Sequence, residues 1–163
     1  MRVVILVVCL LASSIQVYPE SGSTASRTTE LPTISAASSN TPLVTEEQVK
    51  EWVKRWQKRL GLADWKIEAK IVRLYQLPKG TIANIHWSLP RKVATIKVLD
   101  SVDSNLRKED IARDTELSVV HELVHLSMAK LPLDSANTDL EEEAVKKLSI
   151  ALVALDKGDN LQQ

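Results

Sequence analysis

The sequence predicts a small α+β domain, and three local patterns support this fold class. A capping box at residues 45–48 starts an amphipathic helix, which a glycine at position 61 would end. Residues 65–71 then alternate between apolar and polar side chains, which is typical of a half-buried strand. Two later segments, residues 117–128 and 140–157, repeat apolar residues at helical spacing. The predicted order is an N-terminal helix, a three-stranded antiparallel or mixed sheet, a long helix and a C-terminal helix.

The first helix carries one apolar stripe, with lysine and arginine on its other face. The stripe consists of Val49, Trp52, Val53, Trp56 and Leu60. Two tryptophans on a helix could form a platform for a ligand. At this spacing, however, Trp52 and Trp56 are predicted to belong to the hydrophobic core.

Two further strands are predicted after the alternating segment. They cover residues 81–87 and 92–99, and they follow a turn at residues 78–80 and a proline-containing break, respectively. A polar connection leads from the last strand to the long helix. That helix is expected to start at Asp114 or Thr115, either of which can cap it.

Both ends of the chain are predicted to lie outside this domain. Residues 1–14 combine Arg2, ten consecutive apolar residues and a small-residue cleavage pattern, which is typical of a secretory signal peptide. Residues 15–44 are rich in Ser, Thr and Pro and are expected to form a flexible linker or a propeptide. The domain would span residues 45–158, followed by a tail at residues 159–163. The protein is expected to be exported or secreted, and otherwise cytoplasmic.

Composition argues against several classes of function. The 163 residues carry 21 basic and 21 acidic side chains, so the formal net charge is zero. Such a chain has no overall attraction to nucleic acid, and its N-terminal apolar run is too short to span a bilayer. Cys9, the only cysteine, lies in that run, which leaves no disulfide framework or cysteine zinc site. We expect a monomer without an integral membrane span, in which any metal is bound by histidine and carboxylate.

The long helix contains the residues on which the functional prediction depends. Its segment His121-Glu122-Leu123-Val124-His125 is a His-Glu-x-x-His motif, a zinc signature of one group of metalloproteases. Residues four apart lie on the same face of a helix, so His121 and His125 can both present a ring nitrogen to one Zn²⁺ ion. Glu122 is turned about 100° from His121 and is expected to act as the general base. The alternative is an ordinary amphipathic helix with two half-buried histidines.

A catalytic zinc normally takes three protein ligands, and no histidine follows His125. The third ligand is therefore His86, on the second predicted strand, or a downstream carboxylate. The prediction for His86 is a surface residue, with binding of the metal or of an oxyanion as the alternative. The downstream candidates are Asp134, Asp139, Glu141, Glu142 and Glu143.

Helical geometry favours Glu141 among the carboxylates of the last helix. The apolar face of this helix is formed by Ala144, Val145, Leu148, Ala151, Leu152 and Leu155. At 100° per residue, Glu141 falls near the middle of that face, Glu142 at its margin and Glu143 toward solvent. Because Glu141 also completes a capping box with Thr138, Glu142 stays as the alternative third ligand.

The motif and the acidic start of the last helix resemble a known family. Residues 119–125, followed by Glu141-Glu142-Glu143-Ala144-Val145, look like the small gluzincin-type zinc metallopeptidases and the compact phage and bacterial zincin-like proteins. More distantly, they resemble the peptidase domains that cleave phage repressors. The resemblance covers residues 45–156 and implies a zincin-like domain, with a glutamate of the last helix as third ligand and Glu122 as general base. It also implies an edge strand, residues 92–99, that holds an extended peptide by strand addition.

Together, these features predict a zinc-dependent metallopeptidase that hydrolyses a peptide or protein substrate. Zn²⁺ would be bound by His121, His125 and either Glu141 or Glu142. The alternative is a zinc-stabilised binding or regulatory module without hydrolytic activity, because the chain is small and lacks an obvious Tyr or His that could bind an oxyanion. The presence of Glu122 argues against this alternative, since a purely structural zinc site needs the ligands and not the base.

Overall fold

The computed structural model describes residues 43–131 and 138–159, which form a mixed α+β domain. Its helices are α1 (Glu46–Arg59), α2 (Lys108–Met128) and α3 (Thr138–Asp159), and its strands are β1 (Lys66–Val72), β2 (Ala83–Ser88) and β3 (Val93–Leu99). The predicted α+β class is confirmed. No helix within these described ranges is long and apolar enough to cross a membrane.

Several sequence predictions fall outside the described residues. They are the signal peptide at residues 1–14, nearly all of the linker at residues 15–44, the candidate ligand Asp134 and the end of the tail. At the start of the described part, Val44 is only 1% exposed and the backbone N–H of Leu43 donates to Ser101 Oγ at 2.9 Å. The chain therefore joins the core before α1 begins.

Helix α1 forms as its local sequence predicts. The Thr45 hydroxyl oxygen accepts a hydrogen bond from the backbone N–H of Gln48 at 3.2 Å and so caps the first turn. Gly61 follows the helix with a φ of +67°, a left-handed conformation that favours glycine. Trp52 and Trp56 are 8% and 1% exposed, which confirms that they belong to the core.

The sheet is mixed, with strand order β1-β3-β2. Strand β3 lies in the centre, parallel to β1 and antiparallel to β2. The fully antiparallel alternative is wrong, because only the link from β2 to β3 is short enough for a hairpin. The longer connection after β1 contains a 3₁₀ turn at Leu74–Gln76 and carries the chain past the central position. Ile96 and Val98 of β3 are completely buried, as expected for a central strand.

Helix α2 has its N-cap seven or eight residues before the predicted cap. Its first residue is Lys108 and its N-cap is Arg107, so the predicted start at Asp114 or Thr115 is wrong. The earlier start is stabilised by Asp110, an acid in the first turn whose carboxylate pairs with Arg107 at 2.6 Å and with Arg113 at 2.9 Å. The longer helix extends three turns before the His-Glu-x-x-His motif.

Helix α3 is rotated relative to the orientation that its apolar residues predict. Leu148 and Leu155, which were expected to face the core, are 49% and 65% exposed. The buried face instead contains Val145, Ser149, Val153 and Asp156. This rotation has an electrostatic cause, because Asp156 is 4% exposed and pairs with Arg59 and Arg55 of α1.

A buried polar network connects the three helices behind the sheet. Glu116 of α2 accepts hydrogen bonds from Arg55 and from the indole N–H of Trp56, the latter at 3.1 Å. Asp156 of α3 contacts Arg55 at 3.6 Å and also pairs with Arg59. The arginine stems run from the core to the surface, so each buried carboxylate has a cation near it.

We expect Glu116→Ala to lower the free energy of unfolding by about 3 kcal/mol, because it removes one partner from a buried ion pair and leaves the indole N–H of Trp56 unpaired. Urea denaturation measures this difference. The matched control is Glu109→Ala on the same helix, where the side chain is 65% exposed and the expected loss is below about 1 kcal/mol. Equal losses in the two variants would contradict a stabilising role for the network.

Candidate metal centre

Helix α2 brings the two histidines of the motif together one turn apart. His121 and His125 are 8% and 4% exposed, and their ring centroids are separated by 4.8 Å. The two Nε2 atoms face each other at 3.2 Å. Both rings therefore present the same type of nitrogen to one small region beside α3.

Glu142 of α3 completes a group of three possible metal ligands. Its Oε1 lies 3.2 Å from His125 Nε2, and its Oε2 lies 3.5 Å from His121 Nε2. The ligand atoms of the three residues all lie within 4.8 Å of one another. Glu142 Oε2 is buried and has no hydrogen-bond partner. A buried carboxylate oxygen without a partner is costly, and a cation would satisfy it.

The donor set fits Zn²⁺ in both chemistry and spacing. Zinc binds imidazole nitrogen and carboxylate oxygen at about 2.0–2.2 Å, so adjacent ligands of a tetrahedral site lie about 3.3–3.5 Å apart. His125 Nε2 lies 3.2 Å from both His121 Nε2 and Glu142 Oε1, close to these values, and the other oxygen of Glu142, Oε2, lies 3.5 Å from His121 Nε2. Three protein ligands would leave a fourth position free, as in catalytic zinc sites.

Glu141 occupies a different position, against the other nitrogen of the His125 ring. Its Oε1 lies 3.3 Å from His125 Nδ1, whereas the Nε2 of the same ring faces Glu142. A carboxylate in this place accepts the Nδ1 proton, fixes the tautomer and makes Nε2 available to a metal. The geometry thus favours the sequence's second choice, Glu142, as third ligand. The ranking of Glu141 first relied on an apolar face that, in the fold, is largely exposed.

Glu122 lies between α2 and the sheet rather than in the ligand group. It is 6% exposed, and the backbone of Ile85 on β2 hydrogen-bonds its carboxylate. Burial raises the pKa of Glu122 to about 6, while the neighbouring His121 and His125 lower it to a smaller extent. A carboxylate with a pKa near neutrality can both accept and return a proton.

In the metal-free protein, neighbouring charges also shift the pKa values of Glu142 and His125. Burial alone would raise the pKa of Glu142, but the nearby rings of His121 and His125 hold it at about 2. Burial would lower the pKa of His125, yet the carboxylates of Glu142, Glu122 and Glu141 together outweigh it and the pKa is raised. Negative charge on Glu142 is therefore stabilised where a cation would bind.

The pKa of Glu122 makes the stability of the metal-free protein depend on pH. Because folding raises this pKa from 4.5 to about 6, its stabilisation is complete below pH 4.5 and is lost as the pH rises through 6. With a chelator present, the free energy of unfolding of the wild type relative to Glu122→Gln should fall by about 2 kcal/mol over this range. Chemical denaturation of both chains at pH 4.5 and 7.5 measures the change. A pH-independent difference would contradict the burial of this carboxyl group.

The other sequence candidates lie apart from this group. His86 of β2 is exposed, on the face of the strand opposite to the buried Ala83 and Ile85, which agrees with its prediction as a surface residue. Asp139 and Glu143 of α3 are also exposed. Tyr75, the one tyrosine in the described ranges, is 85% exposed.

The strand predicted to hold a peptide, residues 92–99, is the central strand β3, so that prediction is wrong: neighbouring strands already cover both of its edges. Strand β2 is the edge strand nearest Glu122. Leu99 N–H donates to Ile82 C=O at 2.8 Å, and the antiparallel alternation then turns the backbone groups of Ala83, Ile85 and Trp87 outward. Within residues 43–131 and 138–159, no strand pairs with this outer edge.

A groove of about 710 Å³ opens at His121 and Glu122 and follows α2 back toward its N-terminus. One wall is formed by the start of β2 and the other by α3. Its apolar lining includes Ile82, Leu106, Leu117 and Ile150. No local sequence pattern indicates this groove, since it depends on the packing of three elements that are distant in sequence.

Comparison with known proteins gave no match to a family model, to a curated protein or to a solved structure. The likeness to gluzincin-type peptidases therefore rests on the sequence motif alone.

Proposed function

We propose that the chain is a zinc-dependent metallopeptidase. One observation carries the proposal: two histidines and a glutamate from two helices present three donor atoms to one point, beside a separate buried glutamate with a pKa near neutrality. A purely structural site needs only the three ligands. The additional Glu122, held at the edge of the sheet, is the group that hydrolysis requires.

His121, His125 and Glu142 would hold the metal, and Glu141 would orient the ring of His125. Bound Zn²⁺ would supply a Lewis acid that polarises the peptide carbonyl and makes water more acidic. Glu122 takes a proton from the attacking water as the water oxygen adds to the carbonyl carbon. It then passes that proton to the amine nitrogen as the C–N bond breaks.

The outer edge of β2 provides a place for the substrate backbone. Apart from the Ile85 N–H, which contacts Glu122, the outward N–H and C=O groups of this edge can pair with an extended peptide, as in strand addition. Because the Ile85 backbone on this edge also contacts Glu122, a peptide paired there would pass beside the general base. The edge thus replaces β3 as the proposed binding strand.

A second function fits the same ligands: a zinc-stabilised binding module without hydrolysis. It is favoured by the exposure of Tyr75 and His86, since neither could assist an oxyanion at the described site. The base Glu122 has no role in such a module.

Cleavage of a peptide library by the zinc-loaded full chain tests the proposal. We expect cleavage that mass spectrometry can map, loss of activity with a chelator and recovery when Zn²⁺ is restored. A chain that holds zinc but cleaves no peptide would contradict the peptidase and favour the binding module.

A further inference from the structure

The groove beside the candidate metal centre is lined by both apolar and charged side chains. Near the motif its walls are apolar, but three cations also line it: Arg107, Arg113 and Lys146. The two arginines pair with Asp110 and Asp114 inside the same groove. These four side chains therefore neutralise one another.

Lys146 is the cation that remains without an acid. It is exposed on α3, and it forms no ion pair within the described residues. The next residue, Lys147, faces away from the groove and pairs with Glu143 at 2.6 Å. Lys146 thus gives the groove a positive charge that no acid in the described part of the chain pairs with.

The position of Lys146 on α3 sets its distance from the candidate metal centre. It lies one turn of α3 after Glu142, which is about 6 Å along the helix axis. An extended peptide advances about 3.3 Å per residue. A substrate side chain that reaches Lys146 therefore belongs to a residue within about two positions of the cleaved bond.

The direction of the bound peptide follows from the edge strand. Antiparallel pairing is the more stable arrangement and would run the peptide from the Ser88 end of β2 to the Ala83 end. Glu122 contacts β2 at Ile85, and the groove begins at Thr81, Ile82 and Ala83. The part of the peptide that enters the groove is then the part after the cleaved bond.

We propose that this groove binds the two residues that follow the cleaved bond, and that Lys146 selects an acidic side chain at one of them. The inference rests on the proposed peptidase function and adds to it a substrate class: peptides with an apolar and an acidic residue directly after the cleaved bond. The apolar residue contacts Ile82, Leu117 and Ile150, and the carboxylate pairs with Lys146.

The test uses two peptides that share the best-cleaved sequence from the library and differ in Glu or Gln after the cleaved bond. We expect the wild type to prefer the Glu peptide about fivefold in kcat/KM, the magnitude of an exposed ion pair. Lys146→Gln should lose the preference, and Lys146→Glu should reverse it in favour of the Gln peptide. Lys147→Gln, the matched control, should keep the wild-type preference.

Each outcome tests either the role of Lys146 or the proposed peptidase activity. Equal cleavage of the two peptides by the wild type, or a preference that Lys146→Gln retains, would overturn the role of Lys146 and leave the peptidase intact. If no peptide is cleaved, the peptidase fails, and binding to the zinc-loaded chain of two peptides that carry apolar residues and differ only in one Glu or Gln decides the role of Lys146. A fivefold tighter Glu complex that Lys146→Gln abolishes would support it, and equal binding would overturn it.

Discussion

Glu122→Gln is expected to lower the rate of peptide cleavage by about 10²–10⁴-fold, which is the range of a general base. Glutamine has nearly the same size and can still accept a hydrogen bond from the Ile85 backbone, but it cannot take a proton. Because Glu122 lies outside the group formed by His121, His125 and Glu142, the variant should bind zinc as the wild type does. Initial rates on the best library peptide, together with the zinc content of both proteins, measure the two expectations.

The control for this experiment is Glu116→Gln, a change of another buried glutamate on the same helix. Glu116 interacts with Arg55 and Trp56 in the network behind the sheet, away from the motif. We expect this variant to lose stability and, at a temperature where it is folded, to retain its activity. Similar activity of Glu122→Gln and the wild type would contradict the assignment of Glu122 as base.

The second large effect is expected at the third ligand. Glu142→Gln should weaken zinc binding about a hundredfold or more, because the 10–16 kcal/mol typical of a four-ligand zinc site corresponds to about 3 kcal/mol per ligand. Glu141→Gln should weaken it only about tenfold, as expected for a residue that orients a ligand. Competition with a chromophoric zinc chelator measures both affinities.

These two neighbouring residues form a matched pair, since each change removes one carboxylate from the same turn of α3. The comparison separates the two candidates that the sequence left open. A larger loss in Glu141→Gln than in Glu142→Gln would contradict the arrangement in which Glu142 joins both histidines. Glu143→Gln, whose side chain is 60% exposed and paired with Lys147, should bind zinc like the wild type.

Patterns formed by residues close in the sequence predicted the features of the fold that depend on local interactions. The N-cap at Thr45, the glycine at position 61 and the alternation in β1 all appear in the structure, because each reflects interactions between residues close in the chain. Both histidines of the motif meet for the same reason, since the helix alone sets their separation.

The rotation of α3 could not be predicted in this way. Its orientation depends on Asp156, which pairs with arginines of α1 about a hundred residues earlier in the chain. The apolar residues predict that Leu148 and Leu155 lie inside, whereas the buried carboxylate belongs to a face about 100° around the helix from the predicted one. That error moved the predicted centre of the face from Glu142 to Glu141.

The central position of β3 depended on long-range pairing as well. Alternation predicts that a segment is a strand, but it does not say which strands become neighbours. Because β1 pairs with one side of β3, β2 pairs with the other side and is an edge strand. In this position β2 forms the groove together with α2 and α3. The substrate-binding features of the site are therefore tertiary properties.

The zinc content of the purified full chain is the most direct test of this account. Elemental mass spectrometry, beside the His121→Ala variant, should give one zinc per wild-type chain and none in the variant. Binding should also protect the wild type against thermal unfolding, because the ligands come from two helices that the metal would join. A folded wild-type chain that contains no zinc, and takes up none when Zn²⁺ is added, would contradict the metal centre and the peptidase built on it.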